Sequence, residues 1–302
     1  MRRETATTPA DAASYYGRGI VKEPVWTWEI PWYFWAGGTS GASSVLALSA
    51  RRAGNHRLAR AAHAIALAGF AVSPPLLIKD LGRPERFLNM LRVFKVTSPM
   101  SVGTWLLSAT ATVNGVATAL SATGRLPRVR HAAEWSAAAL GPTISTYTAA
   151  LLADTSIPVW HEARHELPFV FAASSAASAG AAAAMFVPPE DAAPARRLAI
   201  GGAVAELGLV ELMEKRLGPL AEPYEGGRRA APYAKAAKAL TAAGAATMLL
   251  GGRRRPAAIV GGALVLGGAI AERWAVFRAG WDSAADPKYT VGPQRARADA
   301  RG

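Results

Sequence analysis

The chain has 302 residues, 51% of them hydrophobic, a formal net charge of +13, no cysteine and five histidines. The missing thiols exclude a disulfide framework, a thiolate zinc site, a cysteine-held iron–sulfur cluster and thioether-attached haem. No nucleic-acid-binding motif accompanies the charge, and Lys and Arg gather between apolar stretches, so the partner of the charge is membrane lipid and not nucleic acid.

Residues 1–30 form an extramembrane N-terminal segment without the charged-then-apolar run of a cleavable secretory signal. Eight apolar stretches then follow at 31–50, 58–78, 98–121, 133–153, 167–187, 195–214, 233–251 and 256–277. Each runs to about 20 residues, enough to cross a hydrocarbon core of ~30 Å at ~1.5 Å per residue. Mean hydropathy is only +0.14 because Ala and Gly build the spans and polar ends dilute them. The pattern predicts an all-α fold, a polytopic transmembrane helix bundle of about eight spans in two four-helix halves. Residues 31–153 make the first bundle, 154–277 the second, and 278–302 a polar C-terminal tail.

An even number of spans puts both termini on one side, together with the longer connections 79–97, 154–166 and 215–232. The other side has the tight loops 51–57, 122–132, 188–194 and 252–255, rich in arginine (Arg51, Arg52, Arg128, Arg130, Arg253 to Arg255). Short basic loops face the cytoplasm, so the termini are expected to be extracytoplasmic in a bacterial cell membrane. Glycines crowd the first span (Gly37, Gly38, Gly41) and the last (Gly261, Gly262, Gly267, Gly268), as close helix packing in lipid requires. Only His63 of the five histidines lies inside a span, which argues against paired axial ligands for an intrinsic haem and for a plain helix contact.

Between spans two and three runs Lys79-Asp80-Leu81-Gly82-Arg83-Pro84-Glu85-Arg86-Phe87-Leu88-Asn89-Met90-Leu91, then Ser98-Pro99-Met100-Ser101-Val102-Gly103-Thr104-Trp105. Pro84 can open a short helix, and Arg83 to Leu91 has one apolar side, so the segment is expected to lie along the membrane surface. These two motifs, with Trp32-Tyr33-Phe34 and Gly37, Gly38 and Gly41 ahead of them, resemble the NrfD/PsrC family. Its members are integral membrane subunits of polysulfide-reductase-like molybdenum or tungsten oxidoreductases. With the eight-span layout the resemblance covers most of residues 26–277, the second half by topology more than by motif.

The resemblance implies a quinone-reactive membrane anchor without haem or iron–sulfur cluster of its own. It would exchange electrons between the menaquinone/menaquinol pool and a four-cluster ferredoxin-like iron–sulfur subunit, itself joined to a molybdopterin catalytic subunit. The resemblance puts the quinone pocket in the first bundle, on the side facing the iron–sulfur protein. A quinone site needs hydrogen-bond donors at the carbonyls, a titratable group and an apolar slot for the ring.

Candidates to line it are Glu29 and Tyr33 among Trp26, Trp28, Trp32 and Trp35, then Asp80 and Arg83 in the motif, and Tyr147 and Asp154 two turns apart near the end of span four. Each has a structural alternative: an aromatic belt for Glu29 and Tyr33, an Asp–Arg pair holding the loop, a tyrosine bonded to backbone. Arg83, Arg86 and Asn89 are candidates for partner docking; no residue is assigned a catalytic or metal-ligating role.

Glu206 falls near the middle of span six, with Glu211 and Glu214 after it, and could be a stop on a proton path. No second midplane acid or basic partner is apparent, so a protonated Glu206 bonded to a neighbouring helix is the plainer reading. A secondary transporter or proton-translocating protein is the alternative function, motivated by Glu206 and by a faint echo between Lys79-Asp80-Leu81-Gly82 and Lys215-Arg216-Leu217-Gly218. A purely structural anchor is the third.

Overall fold

The computed structural model describes residues 20–299, with side chains through 293. The first 19 residues of the expected N-terminal segment, and the last three of the tail, lie outside the described residues. Eight long helices run up and down: α1 (Glu29–Arg52), α2 (His56–Asp80), α3 (Pro99–Thr123), α4 (Pro127–Ala153), α5 (Leu167–Phe186), α6 (Ala193–Leu217), α7 (Ala231–Gly251) and α8 (Arg255–Ala285), followed by α9 (Lys288–Asp299). No strand occurs among the described residues.

The helices begin where the local chemistry starts them. Asn55 caps α2 by accepting from the Leu58 N–H at 3.0 Å, and Ser98 caps α3 through the Ser101 N–H at 3.4 Å. Proline stands in the first turn of α3 through α8, where its missing N–H costs nothing. Gly124 closes α3 in a left-handed conformation, φ 69°, that a side chain would resist.

Helices α2, α5 and α8 are long and apolar enough to cross a membrane by composition as well as length. The other five long helices match them in length, at 21 to 27 residues, but fall below them in hydropathy. In α1, Trp, Tyr, Gly and Ser lower it; in α6, Arg196, Arg197, Glu206, Glu211 and Glu214 do. Large apolar side chains face outward along the bundle, among them Val72, Val116, Phe169, Val204, Leu212 and Leu250. That is the surface a bilayer covers.

Helices α1 to α4 pack in a ring, each against its chain neighbours with α1 closing on α4; α5 to α8 form a second ring in the same manner. The rings meet where α5 lies against α1 and α4, and α8 against α1. The span expected to end at 277 continues to Ala285, so the first residues of the tail are helical and Ala279, Gly280 and Ser283 are buried. Glu272 and Arg273, within the expected span, pair with each other inside the bundle. Beyond α8, Lys288 Nζ meets Glu222 Oε1 at 2.8 Å and ties the start of α9 to the bundle.

Small residues set the helix spacing. A Cβ on Gly180 of α5 would lie 2.4 Å from the Ala199 backbone nitrogen and 2.5 Å from the Ala195 carbonyl oxygen, both on α6. Gly115 of α3 faces open space within 4 Å. Gly180→Val is therefore expected to destabilise the protein by about 1–3 kcal/mol through overpacking. Gly115→Ala should gain roughly 0.5–1 kcal/mol from its better helix propensity. Thermal unfolding in detergent checks both, and equal midpoints for the two variants would contradict the packing described.

Candidate functional site

The N-terminal end of α1, the C-terminal end of α2, the start of α3 and the end of α4 converge at one end of the first ring. Between them lies a small pocket with a cavity volume of about 30 Å³, whose walls include Trp26, Tyr33, Asp80, Met100, Thr104 and Tyr147. Tyr33, Asp80 and Tyr147, separated by up to 114 residues in the chain, thus share one cavity with apolar Ile30, Leu77 and Leu151.

Each polar wall is held differently. Tyr147 donates its hydroxyl proton to the Pro99 carbonyl oxygen at 2.7 Å, the backbone-bonded alternative given for it above. Its ring fits only because residue 103 is glycine: a Cβ there would lie 1.8 Å from the Tyr147 Cζ. Thr104 gives its hydroxyl proton to the Met100 carbonyl at 2.9 Å. The Tyr33 side chain is 2% exposed, and its hydroxyl has no hydrogen-bond partner among the described residues. Of the two tyrosines, Tyr33 is therefore the one with a free donor to offer.

Asp80 closes the mouth. Its Oδ1 accepts from the Thr27 N–H at 2.8 Å and lies 2.8 Å from the Thr27 hydroxyl, which pins the segment before α1 to the end of α2. The same hydroxyl also contacts Glu29. It carries one proton, so it donates to one of the two carboxylates at a time. Glu29 is 3% exposed and pairs with Lys79 Nζ at 3.1 Å, and that ammonium sits 4.5 Å from the centre of the Trp28 ring. Glu29 supports the mouth without lining the pocket.

The remaining candidates lie elsewhere. Arg83, Arg86 and Asn89 are exposed on the α2–α3 connection, whose regular part is the short helix Arg86–Met90. Neither arginine has an ion pair among the described residues. Asn89 borders a shallow surface depression with Met90, Val93, Lys95 and Met100, and Met100 also lines the internal pocket. Leu88, Val93, Phe94 and Val96 around it are all exposed. Asp154 is exposed just past the end of α4, outside the pocket, with its backbone N–H on the Ala150 carbonyl at 3.0 Å. Glu206 belongs to the second ring.

Two buried charged clusters were not assigned from the sequence. At the opposite end of the first ring, Glu134 is 1% exposed, with its Oε1 2.6 Å from Arg51 Nε, 3.6 Å from His63 Nε2 and 3.9 Å from Arg130 Nε. An acid just inside a span, opposite arginines ending a neighbouring one, was the available signal. It explains His63 as a helix contact. In the second ring, Glu272 and Arg273 of α8 stand near Glu206, which corrects the view that this acid has no charged neighbour at its depth. No group of three or more metal-ligating side chains occurs among the described residues.

The family model for polysulphide reductase NrfD matches residues 19–189, more than half of the chain, and takes in every wall of the pocket. No curated protein matches the chain significantly.

The Asp80–Thr27 contacts predict a local effect. Asp80→Ala should release the 20–28 segment at a cost of about 1–3 kcal/mol for bonds to a charged group. Limited proteolysis would then cut that segment several-fold faster while helix content by circular dichroism stays unchanged. Unchanged cleavage would show that these bonds do not hold the segment.

Proposed function

Because the chain belongs to the NrfD family of integral membrane proteins, we propose that it is the membrane anchor and quinone-reactive subunit of a multi-subunit molybdopterin oxidoreductase. In this reading it passes electrons between the menaquinone/menaquinol pool and a four-cluster ferredoxin-like iron–sulfur subunit, through which the catalytic subunit is reached. The observation that carries the reading is the pocket in which Tyr33, Asp80 and Tyr147 meet under an aromatic rim.

The residues fit a quinone. Tyr33 supplies a buried hydroxyl with its donor free, Asp80 a carboxylate at the aqueous mouth, and Trp26, Ile30, Leu77 and Leu151 an apolar slot. A bound quinone would take up or give up two electrons and two protons. Tyr33 would orient one carbonyl by donating to it. Asp80 would exchange protons between the pocket and water, with Thr27 and the Glu29–Lys79 pair holding the carboxylate in position. Tyr147, fixed by Pro99, would serve as a wall and as an acceptor for a quinol hydroxyl.

Arg83, Arg86 and Asn89, with exposed Leu88 and Phe94, would receive the iron–sulfur partner. Met100 joins that surface to the pocket, a short route for electrons. The tight arginine-bearing loops would then face the cytoplasm and the termini the outside of a bacterial cell membrane.

Affinity purification of the tagged chain from its native membrane, with Fe, Mo and W analysis, tests the assembly. The reading requires a cysteine-rich ferredoxin-like subunit and a large Mo- or W-bearing subunit to co-purify. A chain recovered alone and metal-free in mild detergent contradicts it and favours the transporter alternative. Within the complex, Tyr33→Phe and Asp80→Asn should leave assembly intact and lower quinol-linked turnover about tenfold, the equivalent of one lost hydrogen bond of ~1.4 kcal/mol. Lost assembly with normal residual turnover would mark a purely structural anchor.

A further inference from the structure

Helices α6, α7 and α8 surround a second, smaller cavity of about 20 Å³, room for a water, whose polar lining is Glu206, Glu214, Tyr224, Lys238, Thr241 and Glu272. It lies in the second ring and opens at the same end of the bundle as the first pocket, since α6 and α8 finish there and α7 starts there. Its charges do not cancel. Glu272 pairs with Arg273, both buried, and Glu214 pairs with Lys238. Glu206, 2% exposed, has no ion pair among the described residues. Among the described residues, four polar atoms in the lining have no hydrogen-bond partner: Glu206 Oε2, Glu272 Oε1, Tyr224 OH and Thr241 Oγ1. All four belong to residues more than nine-tenths buried.

A carboxylate without a counter-ion in a membrane interior is costly, and the cost falls steeply when it binds a proton. Four unpartnered polar atoms around one cavity also supply the two to four partners that hold an internal water. We propose that Glu206 is a proton-holding site that exchanges with water entering this cavity past the Glu214–Lys238 pair. Lys238, whose side chain is 42% exposed, marks the opening.

A hydronium ion in the cavity gives its proton to the Glu206 carboxylate, leaving a carboxylic acid and a water; release is the reverse. No electron moves. The groups facing Glu206 are Ser174 from α5, Thr241 and Lys238 from α7, Glu272 and Arg273 from α8, and Tyr224 from the segment between α6 and α7. Glu272, held by Arg273, lines the same cavity as Glu206. The site shares no wall with the first pocket and stands whether or not that pocket binds quinone.

Infrared spectroscopy of the purified full-length chain in lipid nanodiscs at pH 7 is the test. The expected result is a protonated-carboxyl C=O band that shifts in D₂O, disappears in Glu206→Gln and persists in Glu211→Gln, whose acid is exposed and paired with Lys215. Absence of the band, its survival in Glu206→Gln, or its failure to shift in D₂O would overturn the proposal. Should Glu206→Gln fold poorly, dicyclohexylcarbodiimide, which modifies protonated carboxyls in apolar surroundings, provides a measurement on the wild-type chain. An adduct mapped to Glu206 by mass spectrometry supports the site, and modification only at other carboxyls refutes it.

Discussion

The arrangement depends on how closely the other helices can approach α1. Between lipid-facing helices the hydrophobic effect supplies little attraction, so association rests on van der Waals contact and on hydrogen bonds between polar groups. Helix α1 packs against α2, α4, α5 and α8 at once, which joins both rings through a single element. Its glycines make that possible. A Cβ on Gly41 would fall 2.3 Å from the Gly141 carbonyl oxygen of α4, and one on Gly38 would fall 2.3 Å from the Ser175 hydroxyl of α5. The same helix carries Tyr33 one to two turns before these glycines, so the geometry of the first pocket follows from the packing below it.

A second constraint fixes the seam between the rings at the pocket end. Trp160, on the connection between α4 and α5, is 1% exposed and donates from its indole nitrogen to the Val276 carbonyl at 2.7 Å. Trp26 stacks on it with centroids 5.7 Å apart, and Phe277 packs on it at 6.4 Å. Gly280 leaves the space, since a Cβ there would sit 2.1 Å from the Trp160 ring. Trp26 lines the first cavity and Val276 the second, so one buried indole separates the two polar sites and buttresses a wall of each.

The spans were legible because a bilayer imposes length and apolarity on the chain directly, and the observed helices differ from the expected ones mainly at their ends. Helix α8 shows why the ends are harder. The pairing of Glu272 with Arg273 was not read from the sequence, and the helix, expected to end at 277, continues to Ala285. Adjacent charges in sequence do not reveal which helix faces they join. Glu134 was overlooked for the same reason, as Arg51 and His63 reach it from two other helices. The convergence of Tyr33, Asp80 and Tyr147 had no periodicity to announce it; those positions came from the motif resemblance and from chemistry that a quinone site requires. The free hydroxyl of Tyr33 and the bonded one of Tyr147 became distinguishable only with the partners in view.

The central claim is that the cavity between α1, α2, α3 and α4 takes a quinone. Photolabelling the full-length chain in its membrane with an azido-quinone, followed by peptide mapping, addresses it most directly. The account predicts label on the segments carrying Trp26 to Tyr33, Leu77 to Leu81, Met100 to Thr104 and Tyr147 to Leu151, displaced by excess unlabelled quinone. Label confined to α6, α7 and α8, or spread over the lipid-facing surface and insensitive to competitor, would contradict it.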